Sequence, residues 1–262
     1  MFKYKVSSES EILQNVIVLS NTARVDFKTE IHWHETRKLL RVYFPLNIRT
    51  DFATFDIQNG ILRRATHDNT SWDIAKHEVY GHKFVDLSEN NYGVSLLNDC
   101  KYGYSAKENV LGLSLLKSAK HPNENADMGT HHFVYSLFLH QNAGLADTLR
   151  EAELLNEELM VKKMEGSEFS CNFVEIDKKN VVLDCLKPSE MGETLILRVH
   201  EHLGQETCFE VNISSLENVK VKSVNILENE KKEEKEIILG VERNKFFARI
   251  KPFQILTFKI QV

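Results

Sequence analysis

Residues 23–35 read ARVDFKTEIHWHE, and their apolar positions recur every second residue. Val25, Phe27, Thr29, Ile31 and Trp33 would share one face of a strand, and Asp26, Lys28, Glu30, His32 and His34 the other. A period of two marks a half-buried strand, so Trp33 is expected in the core and His32 toward water. Similar short runs precede and follow it: ILQNVIVLS (12–20), LLRVYFPL (39–46), KHEVYGHKFVDL (76–87), YGVSLLND (92–99), NVLGLSLLK (109–117) and HHFVYSLFLH (131–140). Between TDFATFDIQ and ILRRAT sits Asn59-Gly60, the signature of a type I′ hairpin whose two central residues both need positive φ. Closely spaced strands with turn signals and no helices between them predict an antiparallel β-sandwich.

The period changes once. In LADTLREAELLNEELMVKK (145–163), Leu145, Leu149, Ala152, Leu155 and Leu159 fall at three- and four-residue steps with acids between them. This predicts an amphipathic helix, with Gly166 as its stop. Strands then resume from NVVLDCLK (180–187) to ILTFKIQ (255–261), and ENEKKEEKE (228–236) reads as a solvated hairpin tip. The expected organisation is a large β-domain over 1–141, a helical connector over 142–168 and a small β-sandwich over 169–262.

The 262 residues carry a formal net charge of −5 with scattered basic residues, which argues against nucleic-acid or anionic-membrane partners. Cys100, Cys171, Cys185 and Cys208 form no CxxC pair, so free thiols and a cytoplasmic location are expected. No stretch approaches a membrane span, and the start lacks an apolar signal core.

Candidate chemistry concentrates in RRATHDNTSWDIAKHEVYGHKFVDL (63–87). His77-Glu78 and His82 are one residue too far apart for HExxH, because an i,i+5 pair on a helix is turned roughly 140°. On a strand the same spacing sends the histidines to opposite faces. His32 and His34 have a better strand spacing, beside Glu30, but two imidazoles are too few for a zinc site. His131-His132 alternate sides, and Ser105, Ser114 and Ser167 lie in no GxSxG elbow. No metal site is expected in this chain.

One resemblance changes the picture. ATHDNTSWDIAKHEVYGHKFVDLSENNYGVSLLNDCKYGY (65–104), with LLRVYFPLNI (39–48) before it and ADMGTHHFVYSLFLH (126–140) after, resembles the C-terminal half of glycoside hydrolase family 38 α-mannosidases. The likeness is to the cytosolic/vacuolar and bacterial branch, and LILRVHEHLGQ (195–205) and IKPFQILTFKI (250–260) extend it. The resemblance implies an all-β fold, a large mutarotase-like supersandwich followed by a smaller sandwich. It also implies a partner: an upstream catalytic domain of the same polypeptide, holding the zinc and the aspartate nucleophile of a retaining mechanism. The chain itself would then be an inactive fragment without cofactor, since the family's HxD stretch is missing and the HHF at 131–133 sits in a β-domain setting.

In that reading Arg64, His67, Asn69, Asp99, Lys101 and Tyr102 are candidates for rimming a mannose-containing glycan or docking the catalytic domain. Trp72 and Tyr104 are expected beside Arg64, His67 and Tyr102 at one sandwich edge. Two further readings stay open, as does oligomerisation. One is a self-standing carbohydrate-binding module. The other is a mutarotase-like epimerase, disfavoured because His77 and Glu78 cannot share a strand face.

Overall fold

The computed structural model describes residues 1–141, 144–157, Val161, Lys163, 172–214, 216–230 and 237–261. These residues fall into two compact units, Met1–Gln58 with Leu62–Leu159, and Asn59–Ile61 with Met160–Val262. The fold is all-β, as the period-two patterning predicts.

The first unit contains strands β1 (Phe2–Lys5), β2 (Glu11–Val18), β3 (Arg24–Trp33), β4 (Leu39–Pro45), β5 (Phe52–Ile57) and β6 (Gly60–Ala65), then a short helix α1 (Ser71–Ile74). It continues with β7 (Val79–Tyr80), β8 (Phe84–Ser88), β9 (Tyr92–Asn98), β10 (Gly103–Lys107), β11 (Val110–Lys117) and β12 (Gly129–Gln141), then helix α2 (Ala146–Asn156). Eight strands form one sheet in the order β1-β2-β3-β12-β9-β8-β5-β6, and four form a second, β4-β11-β10-β7. Ile31, Trp33, Phe133 and Tyr135 from the large sheet pack with Tyr104, Leu111 and Leu113 from the small one. This shared core is what makes the two sheets a sandwich.

The register of β3 follows its alternation. Trp33 is 1% exposed, and its indole Nε1 donates to Ser118 Oγ at 2.6 Å, so the one polar atom of the buried ring is satisfied. His32 remains half-exposed on the opposite face, pairing with Glu30 at 3.1 Å.

Three local expectations need correction. Asn59 takes a left-handed φ of 51°, but Gly60 is not among the positive-φ glycines and already opens β6. The loop is therefore not the type I′ turn that the dipeptide suggests. The strand expected over 76–87 is broken at Gly81–Lys83, where the His82 amide bonds Asp56 O at 2.9 Å. A Cβ on Gly81 would lie 2.9 Å from Tyr104 Cδ2 and 3.3 Å from Phe55 Cδ1, so glycine lets the chain cross these two core rings. Finally, the stretch TSWD starts a helix turn, because Thr70 Oγ1 accepts from the Asp73 amide at 3.1 Å.

The helix expected within a connector over 142–168 spans only Ala146–Asn156 and packs on β8, β9 and β12. It buries Thr148, Leu149 and Ala152. Asn156 Nδ2 donates to Ala152 O at 2.8 Å and Asn98 O at 2.9 Å, and Glu157 is already extended. Side-chain bonding of that kind closes a helix without glycine; Gly166 lies outside the described residues, as do most of the acidic tip at 231–236 and Cys171.

The second unit contains β13 (Glu175–Ile176), β14 (Val181–Pro188), β15 (Leu195–Glu201), β16 (Thr207–Asn212), β17 (Lys220–Val224), β18 (Ile238–Glu242), β19 (Lys245–Ile250) and β20 (Ile255–Gln261). Its sheets run β13-β16-β19-β18 and β14-β15-β20-β17. Phe209, Phe246 and Ala248 of the first meet Leu197, Val199 and Phe258 of the second in a separate core.

Candidate functional site

The six candidate residues divide into three places within the first unit. Arg64, on β6, lays its guanidinium over the rings of Phe55 at 4.4 Å and Tyr80 at 4.8 Å. Burial among these rings lowers its pKa from the usual arginine value, since desolvation disfavours the charged form. Tyr102 is 56% exposed, and its ring stands 5.6 Å from that of His82, which in turn is 6.4 Å from Tyr80. Arg64 and Tyr102 are thus linked through Tyr80 and His82 at the Gly103 end of β10.

His67 and Asn69 lie at the other end of that strand. The Asn69 amide donates to His67 Nδ1 at 3.4 Å, and this nitrogen is 3.9 Å from Asp73 Oδ2. Lys107, the last residue of β10, donates to Asp68 and to Asp73 O. Here a polar pocket of about 470 Å³ is lined by His67, Asp51, Glu89 and Glu108, among others.

Asp99 and Lys101 serve the sandwich itself. Asp99 Oδ2 accepts from the Val134 amide at 2.8 Å, and the Lys101 ammonium sits over the Phe133 ring at 4.6 Å. Both fix the β9–β10 loop against β12. The expected single cluster is therefore wrong. Tyr104 is 0% exposed in the core, and Trp72, 81% exposed on α1, belongs with the His67 end.

In the first unit, two clusters of described residues imitate catalytic sites. Asp86 Oδ2 lies 2.8 Å from His140 Nε2 and accepts from Ser95 Oγ at 2.7 Å, and Ser95 Oγ also meets Thr148 Oγ1 at 2.8 Å. A nucleophile must bond the histidine rather than the carboxylate, and every member is buried. The network instead ties α2 to the large sheet. On the exposed side, Glu30 approaches both His32 and His132, the latter at 3.7 Å. Among the described residues no group of three His, Cys, Asp or Glu side chains could hold a metal ion, so the described residues do not fit a zinc site.

Tyr80 and His82 were not singled out by sequence reasoning as a ring pair. Their signal is Gly81 between them: a glycine inside a strand pattern marks a close backbone approach.

Residues 1–125 match the family description "Glycosyl hydrolases family 38 C-terminal domain", and residues 180–258 match "Glycosyl hydrolases family 38 C-terminal beta sandwich domain". The chain belongs to glycoside hydrolase family 38, as its C-terminal β-domains. Alpha-mannosidase G of Dictyostelium discoideum is 40% identical over 97% of the chain, and the alpha-mannosidase of Saccharomyces cerevisiae 34% over 98%. The chain spans 24% and 26% of the length of these relatives. An alpha-mannosidase from Enterococcus faecalis V583 shares the fold, with a TM-score of 0.79 at 18% identity over 95% of this chain and 29% of that one.

Proposed function

We propose that this chain is the non-catalytic C-terminal portion of a retaining, zinc-dependent α-mannosidase acting on α-mannosides or oligomannose glycans. Its sandwich packs on a catalytic domain of the same polypeptide and rims the substrate groove. The observation that carries this is the ordered match of two family 38 C-terminal regions to a chain a quarter the length of its α-mannosidase relatives. Zinc and the nucleophilic carboxylate belong, in this reading, to the catalytic domain, where the carboxylate forms a covalent glycosyl intermediate that water then hydrolyses. A cytoplasmic setting completes the reading, supported by the unbridged Cys100, Cys185 and Cys208.

The Arg64–Tyr102 end is the best-placed candidate rim. Tyr102 is more than half exposed there, whereas Asp99 and Lys101 are committed to β12. The test is to express the chain alone and together with the catalytic part of the Dictyostelium relative, then assay an aryl α-mannoside. The chain alone is expected to be inactive. The pair should copurify and hydrolyse the substrate, with chelator-sensitive turnover that falls in Arg64→Ala. Turnover by the chain alone, or failure of the folded parts to associate, overturns the proposal.

A further inference from the structure

Tyr80, His82 and Tyr102 form a row of rings at one end of the small sheet. Tyr80 and His82 are tilted by 49° to each other and His82 and Tyr102 by 59°, so the three rings do not lie in one plane. Tyr80 and Tyr102 are each more than half exposed. The backbone beneath them is unusually constrained. The Gly81 amide donates to Tyr102 O at 3.1 Å and the His82 amide to Asp56 O at 2.9 Å. The Lys83 amide donates to Asp56 Oδ2 at 2.8 Å. His82 O accepts from Asn98 Nδ2 at 2.8 Å and the Tyr104 hydroxyl at 3.0 Å. Asp56, Asn98 and Tyr104 are themselves buried. Exposed rings on a backbone fixed by buried groups are pre-ordered for a ligand, which lowers the entropy lost on binding.

Polar groups of both kinds stand beside the rings. Tyr80 pairs with Gly103 across β7 and β10, and the missing side chain at Gly103 leaves room that the Glu78 carboxylate occupies. Ser114 Cβ would be 3.3 Å from a Cβ at the same glycine. Ser114 Oγ and Arg64 Nη1 are buried and have no hydrogen-bond partner.

We propose that the Tyr80–His82–Tyr102 row is a carbohydrate-binding site for a neutral hexopyranosyl residue. One C–H face of the sugar packs on Tyr80 or Tyr102. Its hydroxyls donate to Glu78 and accept from His82. A phosphate would meet the Glu78 charge and an organic cation the Arg64 charge, whereas an uncharged polyol is repelled by neither. A docked polypeptide fits less well, because the cores of protein interfaces are depleted in charged residues. Small-ligand sites instead join aromatic walls to a few placed polar groups. The site stands on these side chains alone; only the choice of mannose rests on the function proposed above.

The test is titration of the purified 262-residue chain with methyl α-D-mannopyranoside, and with the corresponding glucoside and galactoside, by saturation-transfer NMR and calorimetry. Saturable binding with a dissociation constant on the order of 1 mM is expected. Tyr80→Ala and Tyr102→Ala should each weaken it about tenfold, the loss expected for about 1.4 kcal/mol of ring contact. Trp72→Ala should leave it unchanged, and circular dichroism melts check that each variant folds. Absence of saturable binding of all three sugars, or wild-type binding by folded Tyr80→Ala and Tyr102→Ala variants, overturns the inference. So does a ring row closed to sugar once the catalytic part is bound, which would make it a protein-docking face. Binding of the glucoside but not the mannoside keeps the sugar site and counts against the mannosidase reading instead.

Discussion

Glu201→Gln should destabilise the second unit by removing a carboxylate that anchors two loops. Glu201 is 0% exposed. Its Oε1 accepts from Asn180 Nδ2 and the Leu203 amide, both at 2.9 Å. Its Oε2 accepts from the Gly204 amide at 2.8 Å and the Phe253 amide at 3.0 Å. Four donors therefore converge on one ion. Burial alone would raise its pKa, but the Phe253 amide, the Asn180 side chain and the Leu203 amide together hold it below the ordinary glutamate value of 4.5. Glutamine is nearly isosteric but replaces one oxygen with an NH₂, which faces two donors whichever way it turns. Leaving buried donors unpaired costs roughly 1–3 kcal/mol each, partly offset because no charge is buried, so the net loss is about 2–4 kcal/mol. For a unit of this size that lowers the melting temperature by on the order of 10 °C or more.

The pH dependence follows from the depressed pKa. The stability that the carboxylate supplies is fully present above the unfolded value near 4.5 and is lost as pH falls through the folded value. The gap between wild type and Glu201→Gln should therefore be widest at neutral pH and narrow below about pH 4.5. Calorimetric melts across that range measure it, and hydrogen exchange at the Leu203, Gly204 and Phe253 amides reads the loops directly. A variant melting within a degree or two of wild type at pH 7, or a gap unchanged on acidification, refutes the reasoning.

Two further outcomes concern the first unit. Trp33→Ala leaves a cavity in the sandwich core and unpairs Ser118 Oγ, and should cost about 3–5 kcal/mol in urea unfolding. Trp33→Phe should cost less, since most of the ring volume stays; equal losses would mean that the hydrogen bond rather than the packing dominates. Cys100 lies at the surface, yet desolvation of its thiol and the adjacent Asp99 carboxylate push its pKa up to about 12. Alkylation by iodoacetamide at pH 8 should therefore be much slower in the folded chain than in urea, and equal rates by mass spectrometry would contradict that shift.

Alternation carried more of the fold than any dipeptide did. In β3 the register of ten residues follows from one repeated choice, so a single wrong residue cannot overturn it, and Trp33 lands in the core as expected. The Asn59-Gly60 turn depended on two residues, and the strand ladder shifted the loop by one position. The length of α2 was hidden for a similar reason. Its apolar period continues to Leu159, but Asn156 ends the helix through bonds to Ala152 and to Asn98, and the second partner is 58 residues away. No local pattern contains that information.

The candidate site was legible only in part, for a geometric reason. Tyr102 and Tyr104 are two apart and so read as one face, but Tyr102 precedes the first ladder residue of β10 while Tyr104 pairs with Val79 inside it. One ring is held by the core and the other turns out to solvent. Likewise, the run from Arg64 to Asn69 reads as one polar loop, although Arg64 leaves β6 toward Tyr80 and His67 turns toward α1. Residues adjacent in sequence were sent to opposite ends of β10, and Tyr80, His82 and Tyr102, 22 positions apart at most, were gathered at one of them. What gathers them is Gly81, because only a residue without a Cβ lets the backbone pass between the rings of Tyr104 and Phe55. In the histidine-rich stretch the informative residue was therefore the glycine.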